Sequence, residues 1–443
     1  MTELAGWGRY PRHPSEMLYP ASPDDIPRLM ASQSGLVARG NGRAYGDAAI
    51  GESVTLSALG LDRIRAFDPT GRIRVEAGTK LSDLLDVVVP RGFFPPVVPG
   101  TKFVTVGGMI ASDVHGKNHH RDGGFGDHVE SLTLALPDGG TVTCSRNENP
   151  ELLSATIGGM GLTGTILDAT FRLRRIETGW MRQETTVAPD LDSAIHALES
   201  TSGATYSVAW IDCLARGASL GRSLIFAAEH ATRQDVDALR ADAESFPSTK
   251  LGRLSVPFDL PSFTLNRLSV SAFNELYFRA GAMKAGYPFL VHWDPYFFPL
   301  DGLGNWNRIY GRRGFLQYQC VIPREHAAPV LRGILKHVSK HGNASFLAVL
   351  KQLGPSHGHL SFPLEGFTLA LDLPVSDHVF PLLDELDRSV IESGGRLYLA
   401  KDSRQSPATF EAGYPGLSRF RDVRKTIGAV GKISSRLSIR LGI

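Results

Sequence analysis

Three glycine-rich stretches constrain this chain more than anything else in it. The central one runs from Pro99 to His120, PGTKFVTVGGMIASDVHGKNHH. A short β-branched run meets the Gly107-Gly108 pair, a small-residue helical turn follows (Met109 to Val114), and a polar run begins at His115. Paired glycines let backbone N–H groups approach a ligand that any Cβ would hold off. A helix start behind them offers unpaired donors and partial positive charge to phosphate. The flanking stretches are RGNGRAYGD (Arg39 to Asp47) and IGGMGLTG (Ile157 to Gly164). One glycine cluster alone marks an ordinary turn. Three, each beside an apolar strand-like run, point to one large, planar, phosphate-bearing ligand.

Several other ligand classes drop out on spacing. Gly40-Asn-Gly42 opens like a dinucleotide fingerprint, but the third glycine of G-x-G-x-x-G would fall at Tyr45, and Gly46 is one place late. No acidic residue stands at the usual distance, and no P-loop occurs, so a nicotinamide Rossmann domain is not expected. His115, His119, His120 and His128 could suggest a metal cluster. Gly116 and Asn118 disfavour a continuing helix there, and no carboxylate or thiolate has ligand-like spacing, so no metal is expected. The histidines then either pack as ordinary polar groups or stand beside the cofactor. Cys144, Cys213 and Cys320 are too few and scattered for a disulfide framework, and a net charge of +2 gives no case for nucleic acid. With no signal-peptide pattern or apolar span, a reducing cytoplasm is the expected compartment.

The pattern of the chain predicts an α+β protein in three parts. Residues 1–176 carry the glycine loops, with strands at LVARG, SVTLSAL and RIRVEAG, a helix from Lys80 to Val89, and a hairpin through the Pro-Asp-Gly-Gly turn of SLTLALPDGGTVTC. Residues 177–393 lose the glycine punctuation and alternate apolar strands with helices (Ala328 to His341, His378 to Ser393), which suits an antiparallel sheet covered on one face. Residues 394–443 return to the first domain. Gln317 and Gln319 share a strand face, either as solvated edge residues or as hydrogen-bonding groups for hydroxyls. Pro295 to Gly311 reads as a long aromatic loop, its rings either core filler or walls for an extended apolar substrate. From Phe420 to Leu441, apolar residues recur at threes and fours between arginines and lysines, which predicts one basic amphipathic helix. Its apolar face either packs on its own domain or docks on an anionic membrane.

GNGRAYGDA, the Pro99–His120 stretch, FGDHV, GGMGLTG, GFLQYQ and GGRLYLAKDSR together resemble the vanillyl-alcohol-oxidase (PCMH-type) FAD-binding fold. Within it they resemble the decaprenylphosphoryl-ribose 2′-oxidase family. HGKNHH and YLAKDSR are the specific matches. The resemblance implies FAD contacts at Ala38, Arg39, Gly40, Asn41, Gly42, Arg43, Ala44, Tyr45, Gly46, Asp47 and Ala48. Further contacts are implied at Gly100, Thr105, Val106, Gly107, Gly108, Ser112, Asp113, Val114, His115, Ile166 and Tyr398. Arg43-Ala44-Tyr45 stands where related enzymes carry a flavin-linking histidine, which implies noncovalent FAD. Substrate contacts are implied at Gln317, Gln319, Lys351, Ala370 and Lys401; at Ala370 well-known relatives carry a cysteine. Lys401 is expected near the flavin's N1 and C2 carbonyl edge, where hydride transfer builds negative charge. Lys401, Tyr45, His115 and Lys117 are the candidates for the base. The implied partners are a polyprenylphosphoryl-pentose substrate, an NADH-dependent keto-reductase and a peripheral membrane contact at the inner membrane, on either its cytoplasmic or its periplasmic face. A soluble alditol or aldonolactone oxidase and a flavin-free sugar- or lipid-carrier-binding protein are the rival readings.

Overall fold

In a computed structural model, the structure describes residues 1–240, 243–248, 254–261, 264–341, 345 and 347–443. The N-terminal strands Thr2–Ala5, Arg12–Leu18, Val54–Ser57 and Leu36–Arg39 form one sheet in that order, with parallel pairing in its second half. Leu36–Arg39 hands the chain to the first glycine stretch. A second sheet is antiparallel, ordered Ile64–Phe67, Arg72–Glu76, Thr165–Arg172, Val129–Ala135 and Thr141–Ser145. Its edge is the expected hairpin, turned through Gly139 at φ +89°. The helix Val106–Ala111 packs against Arg72–Glu76 and Thr165–Arg172. Thr105 caps it, Oγ1 accepting the Gly108 N–H at 3.4 Å, so the second glycine stretch is pinned over this sheet.

The third sheet has eight strands: Phe289–His292, Trp180–Ala188, Ser223–His230, Tyr206–Ile211, Ala348–Leu353, Gly366–Pro374, Phe315–Pro323 and Arg396–Leu397. Every described pairing in it is antiparallel. Strand alternation divides its residues between two environments. Ala209, Ile211, Tyr318, Cys320, Leu350, Leu369 and Leu371 are buried with helices Leu191–Ser200, Ala327–His341 and Val379–Glu392 in one apolar core. Each leucine buried there contributes about 2 kcal/mol. Their neighbours Val208, Trp210, Gln317, Gln319, Val349, Lys351, Thr368 and Ala370 face the other way and line a cavity shared with the glycine loops.

Two stretches differ from their sequence-based expectation. The basic amphipathic segment is two helices, Leu417–Thr426 and Arg436–Leu441, separated by Gly428 and Gly431 in the left-handed region. Its apolar residues Phe420, Ile433, Leu437 and Leu441 are buried in the core of the cofactor-binding half, so the face packs on its own molecule. The aromatic segment is not an irregular loop. Trp293–Phe297 is helical and Trp306–Tyr310 is a tight 3₁₀ turn, because Tyr296, Phe297, Trp306 and Tyr310 are all buried. No helix among the described residues is long and apolar enough to cross a membrane.

Candidate active site

The three glycine stretches meet around one elongated cavity of about 380 Å³. From the first come Ala38, Gly40, Asn41, Gly42, Arg43, Ala44, Tyr45 and Ala48. The second supplies Gly100, Thr105, Gly107, Gly108, Ser112, Val114, His115 and Lys117, and the third Met160, Gly161 and Gly164, with Ile166 just beyond. The loops also bind one another. Asn41 Nδ2 donates to the Phe103 carbonyl at 2.7 Å, and a Cβ on Gly40 would stand 2.2 Å from Thr105 Oγ1. A Cβ on Gly100, in contrast, would meet nothing within 4 Å, so at that point the cradle is open to a ligand. Two glycine loops, a helix start and the Arg43 guanidinium, which lies 3.9 Å over the Trp7 ring, suit the pyrophosphate and planar rings of FAD.

Five expected cofactor residues do not line this cavity. Arg39 donates to the Ala5 and Ala49 carbonyls. Gly46 is pressed against Asp402, whose carbonyl would lie 1.9 Å from an added Cβ. Asp47 is paired with Arg440, and Val106 is fully buried in the core. Asp113, at φ +38°, accepts the Gly126 N–H and the Ser361 hydroxyl. The structure gives these side chains the work of building the loops, because each meets a partner within the protein.

The facing wall carries the expected residues Gln317, Gln319, Lys351, Ala370, Tyr398 and Lys401. Neither glutamine is a solvated edge group. Gln319 Nε2 lies 2.9 Å from His115 Nε2 and donates to Thr368 Oγ1 at 3.2 Å. Gln317 Nε2 donates to Asp372 Oδ1 at 2.5 Å, while the second Asp372 oxygen is buried without a partner among the described residues. Lys401 Nζ stands 3.7 Å over the Tyr45 ring, a cation–π contact. Lys117 Nζ donates to the Tyr296 carbonyl and lies 4.0 Å over that ring.

Burial governs the titration of these groups. It pushes Lys401 down to about 7, with Asp372 opposing and Lys351 assisting. Lys117 is lowered to about 7 by burial and then by Lys351. Burial alone lowers Lys351 to about 8. His115 is pushed well below the usual imidazole range by burial and by Lys351, His119 and Lys401, so it stays neutral. Burial raises the Tyr45 phenol well above its ordinary value, which leaves it protonated. The site therefore holds three amines lowered towards neutrality, a neutral imidazole and a protonated phenol.

Sequence reasoning missed Asp372, and also Asp301, which accepts the Thr101 hydroxyl and the Lys102 N–H and so anchors the second glycine stretch. Strand periodicity carried the signal for Asp372, which stands two residues after Ala370 on the same strand. No local signal marks Asp301. Among the described residues no group of three or more His, Cys, Asp or Glu is arranged to hold an ion.

The chain is similar in sequence to known proteins. Residues 14–145 match the model of the FAD binding domain family. Over 99% of its length the chain is 36% identical to 97% of the decaprenylphosphoryl-β-D-ribose oxidase of Mycolicibacterium smegmatis. It is 35% identical over 82% of its length to the whole of an uncharacterised protein of Streptomyces coelicolor. Likeness to the D-arabinono-1,4-lactone oxidase of Yarrowia lipolytica, at 31%, is confined to 23% of this chain and 19% of that protein.

Proposed function

The chain belongs to the decaprenylphosphoryl-β-D-ribose oxidase family of FAD-binding flavoproteins, and on that premise we propose that it oxidises the 2′-hydroxyl of a polyprenylphosphoryl ribose to the 2′-ketone. The observation that carries this reading is a single cavity in which the glycine loops face a wall of amides and amines. FAD held there noncovalently supplies the hydride acceptor. The rest falls to side chains of this protein. Gln319, held by His115 and Thr368, and Gln317, held by Asp372, orient the sugar hydroxyls. Lys401, favoured in its charged form by Asp372, is the ammonium that offsets negative charge as the hydride leaves C2′. Lys117, lowered to about 7 by burial and by Lys351, is partly unprotonated near neutrality and in that form takes the 2′-hydroxyl proton. Lys351 and the Tyr45 phenol complete the sugar pocket. A separate nicotinamide-dependent reductase then returns hydride to the opposite face, giving the arabinose epimer for cell-wall arabinan, and the protein works at the surface of the membrane that holds its lipid substrate.

The test is spectroscopic. The purified protein is yellow, with flavin bands near ~370 and ~450 nm, and bleaches anaerobically with a polyprenylphosphoryl ribose but not with free alditols. Lys401→Ala slows that bleaching by about 10²–10³. Bleaching by alditols alone, or a wild-type rate in the variant, overturns the reading.

A further inference from the structure

Eight of the fourteen large apolar side chains that are exposed among the described residues lie between 254 and 287. Exposed hydrophobics scattered singly are ordinary on any surface, but these are not scattered. The helix Arg267–Ala282 turns Val270 and Asn274 inward, and Asn274 Nδ2 donates to Asp212 Oδ1 at 2.7 Å. Its outer side carries Leu268, Ala272, Leu276 and Ala280 at every fourth position, which is one stripe on a helix surface. Met283 and Tyr287 continue beyond the helix end. Leu268 is 83% exposed, Leu276 70% and Met283 80%. A surface helix ordinarily buries its apolar stripe; this one presents it to solvent.

The same helix belongs to the rim of the cavity. Tyr277 lines the cavity, and its ring lies 4.8 Å from that of Trp210, a second lining residue. Arg267 and Lys284, both exposed, border the stripe, and Arg279 beside them is paired with Glu275 at 2.5 Å. An apolar stripe flanked by cations matches the interfacial region of an anionic bilayer, where acyl chains meet phosphate headgroups.

We propose that the outer face of helix Arg267–Ala282, continued by Met283 and Tyr287, docks on an anionic phospholipid bilayer and brings the cavity mouth to the membrane surface. The choice of a bilayer rests on the oxidase reading in one respect: a polyprenyl substrate resides in one. The docking itself depends only on the helix. Apolar side chains enter the interface while the basic residues stay among the headgroups, so binding depends on both apolar area and anionic lipid.

Flotation of the full chain with phosphatidylcholine vesicles, with and without phosphatidylglycerol, tests this. The wild type is expected to float with the anionic vesicles and to lose that binding at high salt. The variant Leu268→Ser/Leu276→Ser/Met283→Ser is expected to partition more than about tenfold more weakly, with its melting temperature and flavin spectrum unchanged. Arg267→Glu/Lys284→Glu tests the charge term independently, with a loss only on anionic vesicles. Wild-type flotation by both variants overturns the proposal, as does a wild-type chain that ignores vesicles or associates only with another protein. Anaerobic bleaching by a short-chain, water-soluble prenylphosphoryl ribose is read in parallel and is expected to be the same in wild type and triple variant. If it fails in both, the oxidase reading falls while flotation still decides the docking.

Discussion

Asp372 shows how one buried side chain sets the working range of another. Its carboxyl is raised to about 7 by burial, against the opposing Gln317 hydrogen bond and Lys401, and in return it favours the Lys401 ammonium. If turnover needs that ammonium, the rate falls as pH rises through the Lys401 value near 7. Asp372→Asn removes the anion, so Lys401 loses its proton at lower pH. The alkaline limb of flavin reduction is expected to move down, with a pH 7 rate lower by about tenfold; an unmoved limb in a pH–rate profile would show that Asp372 does not act through Lys401. Ala370 gives a second prediction. Cys144, Cys213 and Cys320 are buried, and burial raises their thiols to about 11, 12 and 12, so thiol-directed ligands of the cavity leave the wild type unmodified. Ala370→Cys places a thiol on the cavity wall, and intact-mass measurement is expected to show one adduct on that variant alone. Lys401 and Lys117 were legible because they sit in the specific motifs YLAKDSR and HGKNHH, and Gln319 because it shares a strand face with Gln317. Asp301 was not, since its role depends on Thr101 and Lys102, which are close to it only in space.

At the scale of elements, the antiparallel character of the eight-stranded sheet was readable, although Trp180–Ala188, Ser223–His230 and Phe289–His292 were not read as strands. An alternation of apolar and polar side chains has only one arrangement that buries the first set. The C-terminal segment was misread because spacing at threes and fours continues across Gly428 and Gly431, and periodicity does not register a left-handed turn between two helices. Contacts between elements were equally invisible. Tyr45 N–H donates to the Ala400 carbonyl at 2.9 Å, and Gly46 lies against Asp402, so the first glycine stretch and the turn carrying Lys401 touch backbone to backbone. Gly46→Ala must force them apart. Denaturant titration is expected to show a loss of about 3 kcal/mol, together with reduced flavin retention.

At the scale of the whole molecule, Arg440 ties the last helix to both ends of the site. It pairs with Asp47 at 2.8 Å and with Asp402 at 2.9 Å, and both carboxylates are buried. Burial pushes Asp402 up, but Arg440 and the N–H groups of Arg404 and Gln405 outweigh it and hold its carboxyl below the ordinary range. A depressed carboxylate contributes stability above its unfolded value of about 3.9, and that stability is lost as pH falls through the lower folded value. Acid is therefore expected to loosen the C-terminal end. Arg440→Met leaves two buried carboxylates uncompensated and is expected to cost about 3–5 kcal/mol, with flavin release at a lower temperature in a fluorescence melt. By itself the sequence determined the glycine loops and the antiparallel sheet, because backbone freedom at glycine and alternation along a strand are local properties, whereas most of the polar wall was implied by family resemblance. Only the tertiary structure decided which carboxylate governs Lys401, where the C-terminal apolar face is buried and which helix is left with its apolar stripe in solvent. Each of these is fixed by burial and by neighbours well separated along the chain, and no local window of the chain contains that information.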